Sequence, residues 1–139
     1  MERMEFIRRN VSVVLTLDTL EYARHSGRVK ALQAALASII NIKPVVILRE
    51  GVLEISEKVR TRQRSINRIV EIVRQRVDDR LVNAAVVHAQ APEIGRQLME
   101  MVRQALNCQE LVMTELSIGV AANLGPGTVG VVAYPVKEG

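Results

Sequence analysis

The sequence predicts an α/β fold: a layered α/β domain with a mixed sheet that includes one β-hairpin, and helices packed on it. Three observations carry this. Runs of β-branched and leucine residues (Val11–Leu17, Val45–Leu48, Val129–Tyr134) read as strands, the first two covered on both faces. Two stretches, Arg60–Val77 and Pro92–Leu106, place apolar residues at helical spacing. Strands alternate with helices except where two strand-like runs meet across Arg49-Glu50-Gly51, the mark of a hairpin. With 139 residues, 48% hydrophobic and 24% charged, the chain is expected to fold as a single domain, 1–139, around a real core.

In chain order, Phe6–Asn10 ends a short helix and Val11–Leu17 is the first strand. Asp18 or Thr19 caps the next helix, with Glu21 three residues after Asp18, and Ser26-Gly27 stops it. Ala31–Ile40 is apolar except at Gln33 and Ser38, so this helix is buried on two sides or waits for a cover. Asn41–Pro44 ends it, and Val45–Leu48 follows as an interior strand. Val52–Ser56 alternates apolar and polar residues, leaving one face exposed. In Arg60–Val77 the stripe is Ile66, Ile69, Val70, Val73 and Val77; Arg62, Arg64, Arg68, Arg74 and Arg76 are assigned to the other face. Asp78-Asp79 breaks that helix, and Asn83–His88 is a strand. Pro92 suits a first helical position, with Ile94, Leu98, Met101, Val102, Ala105 and Leu106 as the stripe behind it. Glu110–Leu116 is a strand, Gly119–Gly127 a glycine-rich loop, and Val129–Tyr134 the closing strand.

Composition excludes several function classes. Phe6, Tyr22 and Tyr134 are the only aromatics, too few for a base-stacking platform. One cysteine, Cys108, cannot form an intrachain disulfide and fits a reducing, cytoplasmic setting. No segment reaches the roughly 20 apolar residues of a spanning helix. The N-terminus has no signal-peptide pattern, and its start inside an apparent helix suggests a fragment. His25 and His88 stand far apart, no carboxylate cluster has metal-ligand spacing, and Cys108 lacks a nucleophile signature. The expectation is therefore no enzyme, no metal and no cofactor. The net charge of +4 favours acidic partners without naming one.

Four stretches remain as candidate sites. In Ala122–Thr128 (ANLGPGT), two glycines around Pro126 fix a tight turn that either presents N–H groups to an anion or merely connects two strands. Arg28, directly after the Ser26-Gly27 stop, is either aimed at a partner or satisfies the last helix carbonyls. The basic run Lys58–Arg64, continuing to Arg68, is a solvated face or contacts phosphates or an acidic protein. Ala31–Ile40 is ordinary core, or its alanines beside Leu32, Leu36, Ile39 and Ile40 line a slot for an acyl chain.

The motifs LDTLEY (17–22), SGRV (26–29), NIKPVV (41–46), HAQAP (88–92) and GPGT (125–128) with Tyr134-Pro135 resemble, in combination, the DegV family of bacterial fatty-acid-binding proteins. The resemblance runs from Val11 to Pro135 and covers the C-terminal half of such a protein, leaving out the N-terminal domain that supplies one wall of the lipid tunnel. It implies a non-enzymatic carrier that holds a fatty acid for a partner fatty-acid kinase. By this resemblance Asn123, Leu124, Gly125, Pro126 and Gly127 lie near the carboxylate, with Arg28, Leu32, Leu36 and Ile39 at the pocket. Arg28 and Arg60 face the kinase. Asn123 stands where the family carries a histidine, and Ala121 where it carries a glycine, so positive charge at the head group is lost. An isolated half would expose the Ala31–Ile40 face and self-associate or bind the N-terminal DegV domain. The alternative function is a basic nucleic-acid-binding domain using the Arg60–Arg76 helix face.

Overall fold

The computed structural model describes residues 9–26, 29–30 and 42–136. Along the chain these form β1 (Ser12–Thr16), α1 (Glu21–Ser26), β2 (Val29–Lys30), β3 (Lys43–Arg49) and β4 (Val52–Val59). Then come α2 (Arg62–Val77), β5 (Val82–His88), α3 (Pro92–Ala105), β6 (Cys108–Glu115), α4 (Ile118–Leu124) and β7 (Val129–Pro135). The strands make one mixed sheet in the order β2-β4-β3-β1-β7-β5-β6. The pairs β2–β4 and β5–β6 are parallel, and the other neighbours antiparallel. The α/β class with a mixed sheet and one hairpin is thus the observed architecture.

The apolar run behind β1 is explained by its place between β3 and β7, where both faces are covered. On one face, Val14, Val45, Ile47, Val82, Val86, Val129 and Val131 pack against the stripes of α2 and α3. On the other, Leu15, Val46 and Val87 meet Leu17, Leu20, Ala23 and Leu124 from the segments around α1 and α4. Alternation along β1 and β3 sends successive residues to the two cores. The β3–β4 hairpin turns through Glu50 and Gly51, both at positive φ (51° and 79°), as a two-residue turn requires.

Several boundaries and one element differ from expectation. The Gly119–Gly127 stretch is not all loop. Ser117 accepts a hydrogen bond from the Val120 N–H (3.3 Å) and so caps α4, which ends at Leu124, and only Gly125–Thr128 turns. The Arg60–Val77 helix begins at Arg62, because the Thr61 hydroxyl accepts from the Arg64 N–H and makes Thr61 the cap. The strand after the hairpin runs on to Val59, and β6 begins at Cys108 in register with β5. Arg28 and the Ala31–Ile40 helix, with Leu32, Leu36 and Ile39, lie outside the described residues.

Candidate functional site

The turn Gly125–Thr128 links α4 to β7 at the end of the sheet where β1 and β5 finish and β3 and α2 begin. Its backbone is fixed from within. The Thr128 hydroxyl, fully buried, donates to the carbonyls of Gly125 (2.9 Å) and Leu124 (3.3 Å). From the β5 end, the Ala89 N–H donates to Thr128 O (2.8 Å) and the Gly127 N–H to Ala89 O (2.7 Å). Both glycines sit at positive φ. Each also has a neighbour where a side chain would be: the Tyr22 ring lies over Gly125, and Asp18 over Gly127.

Three segments far apart in sequence hold this turn. Asp18, in the bend after β1, pairs with the Lys43 ammonium at 3.0 Å, and the same ammonium donates to the Asp18 carbonyl at 3.0 Å. Arg62, in the first turn of α2, donates through Nη2 to the Gly127 carbonyl. Burial lowers the Arg62 pKa and the charge of Asp18 raises it, so the two opposite charges face each other across the turn. Two buried polar atoms at this end have no partner among the described residues, Arg62 Nη1 and Thr16 Oγ1.

Of the two capping residues expected for α1, Thr19 is the one whose hydroxyl accepts from the Glu21 N–H, at 3.3 Å, while Asp18 pairs with Lys43. One expectation changes here. Arg62 is not on the outer face of α2. It stands four residues before Ile66, and that spacing puts it on the stripe facing the sheet. The i, i+4 relation was the signal that could have found it. Tyr22 and Lys43 were also missed as site residues, because each acts through a contact remote in sequence.

Beside the turn is a surface cavity of about 470 Å³. Its walls are mainly apolar, among them Tyr22, Ala89, Leu116, Ile118 and Pro126, with Gln90 and Glu115 as the polar members. Ile118 is 90% exposed, so an apolar side chain stands at the rim with nothing described covering it. Asn123 is on α4, where its amide donates to the Gly119 carbonyl (3.0 Å). Leu124 is a core residue. Gly125, Pro126 and Gly127 form the turn, and Arg60 is exposed just before the Thr61 cap. A second depression of about 760 Å³ lies at the opposite end of the sheet, among Arg9, Arg49, Arg76 and Glu50.

His88 is buried at the end of β5, and its Nδ1 accepts from the Ala91 N–H (3.2 Å) at the start of α3. That gives His88 a structural role within the HAQAP segment. Among the described residues no group of three or more His, Cys, Asp or Glu could hold a metal ion, and no described helix is long and apolar enough to cross a membrane. The arginines of α2 do not form one free cationic row. Arg62 turns inward, and Arg68 binds both carboxylate oxygens of Glu57 (2.8 and 2.6 Å) and also Glu71 (3.1 Å). The hydrogen bond that Arg68 donates to Glu57 is the main reason its pKa is raised.

Cys108 is half-buried at the start of β6, and burial pushes its thiol pKa up while Arg103 pulls it down more weakly. A raised pKa means less thiolate at a given pH. Alkylation with iodoacetamide at about pH 8 should therefore run slower than for a free cysteine thiol, which mass spectrometry of a time course would read.

Comparison with known proteins points to one family. The profile of the DegV family, described as uncharacterised proteins, matches residues 1–136. A DegV domain-containing protein of Streptomyces coelicolor is 36% identical over 122 residues, covering 87% of this chain and 43% of its own. A solved Thermus thermophilus structure described as fatty acid binding of a DegV family protein superposes with a TM-score of 0.89 at 28% identity, over 97% of this chain and 49% of its own. The crystal structure of a fatty acid binding DegV family protein from Streptococcus agalactiae gives 0.88 at 25% identity, over 98% and 48%. The chain thus spans about half the length of the relatives it matches. On the match across nearly all of its residues, and on the convergence of its motifs around one turn, this chain belongs to the DegV family.

Proposed function

We propose that this chain is a lipid-binding module that takes a long-chain fatty acid, with the carboxylate near the Gly125–Pro126–Gly127 turn, and presents it to a partner fatty-acid kinase. The observation that carries the reading is the close superposition on DegV structures described as fatty-acid-binding, at TM-scores of 0.88 and 0.89. The apolar cavity beside the turn supports it, since burying an acyl chain yields about 0.8 kcal/mol per CH₂ and needs walls of this kind.

In this reading the protein is a carrier and not an enzyme. Asn123 and the turn lie at the head group, the pocket continues along Arg28, Leu32, Leu36 and Ile39, and Arg28 and exposed Arg60 face the kinase. Asn123 already donates to Gly119, so only its carbonyl oxygen and one N–H remain to meet a ligand. The cavity is completed by an N-terminal DegV domain or by a second copy through the Ala31–Ile40 segment.

Native mass spectrometry of the protein as purified from bacterial cells, followed by lipid extraction, tests this. One fatty acid per chain is the expected result, and Asn123→His should then retain it more strongly. A protein that is empty, and stays empty when incubated with oleate and with its complementing domain, would overturn the reading.

A further inference from the structure

From the way the turn is held, we infer that Arg62 is a positioning residue of this site: by donating to the Gly127 carbonyl it straps the Gly125–Thr128 turn to the first turn of α2. The inference rests on the proposed lipid reading for its consequence, but the strap itself is a statement about the fold.

The need for a strap follows from what else holds Gly127. Its N–H is bound to Ala89, on the β5 side, and its Cα lies against Asp18, on the β1 side. Neither contact restrains the carbonyl, which Arg62 takes. Glycine on both sides of Pro126 leaves the backbone with more conformational freedom than any other residue would, so an external tether has more to restrain. A guanidinium suits the task. It is planar, stays charged when half-buried, and offers five donors from one rigid fork. Asp18, itself held by Lys43, provides an opposite charge nearby that offsets part of the cost of burying the cation. The spare buried donor, Nη1, has no described acceptor.

Arg62 is also one residue from the Thr61 cap and two from Arg60 and Arg64, both exposed. A strap at that point ties the turn to the beginning of α2 and to no other part of the helix.

The test compares Arg62→Leu, Arg62→Lys and two controls, Arg64→Ala on the exposed face and Val73→Ala in the core. The first readout is amide hydrogen exchange of Gly125, Gly127 and Thr128. Arg62→Leu should speed exchange there by about tenfold or more, as expected for the loss of a charge-assisted hydrogen bond, and Arg62→Lys should restore part of the protection. Val73→Ala should lower Tm without selective loss at the turn, and Arg64→Ala should change neither. The second readout is displacement of a fluorescent fatty acid, where Arg62→Leu should weaken binding by about five- to tenfold at an affinity cost of one such bond. Unchanged turn exchange in Arg62→Leu overturns the inference. So does a loss that Arg62→Lys fails to relieve while Val73→Ala reproduces it. If Arg62→Leu does not fold, Arg62→Lys alone must still show turn exchange faster than wild type, and wild-type protection there overturns the strap. Absence of lipid binding by the wild type would count against the carrier reading alone, since exchange at the turn is read without ligand.

Discussion

Gly130→Ala is expected to destabilise the protein by about 3 kcal/mol or more, through overpacking at the middle of the sheet. Gly130 lies on β7 directly across from Leu15 of β1. A methyl group there would overlap the Leu15 side chain and come within 2.7 Å of the Val14 carbonyl oxygen. Leu15 is one of the residues that joins β1 to the core under α1 and α4, so it cannot swing away without opening that core. The Val14 oxygen belongs to the ladder and has even less room to give. Leu15→Ala combined with Gly130→Ala should therefore recover only part of the loss, with the carbonyl contact remaining. Urea unfolding of the two single variants and the double variant measures this. Full recovery in the double variant would mean that the backbone contact is relaxed at no cost.

Much of this sheet can be read from local pattern. The stripes of α2 and α3 and the two-sided apolar runs of β1 and β3 have enough residues for their periods to show. What escaped was short or remote. Two-residue β2 has no period at all, and α4 is seven residues long with only Leu124 buried, so Gly119 and the GPG sequence dominated the reading. The turn itself was legible because Gly125, Pro126 and Gly127 are exceptional in any context. Its supports were not. Asp18 and Lys43 are 25 residues apart, and Arg62 and Gly127 are 65 apart, distances over which spacing carries no information. Asp18 also had a plausible local role as a helix cap, and a local explanation conceals a tertiary one. The motifs LDTLEY and NIKPVV are legible as family resemblance, but nothing in them shows that Asp18, Tyr22 and Lys43 meet one another and Arg62 at one place.

The second large effect is expected at that place. Gly125→Ala should cost about 3–5 kcal/mol, the sum of a backbone conformation nearly reserved for glycine and a clash with the half-exposed Tyr22 ring. Gly125 has φ 95° and ψ 160°, in a region where any Cβ is strained by about 1–3 kcal/mol. That Cβ would also enter the ring of Tyr22, with Cγ at 2.8 Å. Removing the ring separates the two contributions: Tyr22→Ala with Gly125→Ala should regain the steric part and retain the backbone part. Gly119→Ala provides the contrast. It lies on α4 with open space around its Cα, and there the exchange should be neutral or stabilising by up to about 1 kcal/mol. Fatty-acid affinity, followed by displacement of a fluorescent probe, should fall for Gly125→Ala under conditions where the variant is still folded, and should not fall for Gly119→Ala. The reason is geometric. Gly125 brings Tyr22, one wall of the cavity, into contact with the turn on which the carboxylate is proposed to rest, so a methyl group that parts them alters the wall and the turn together.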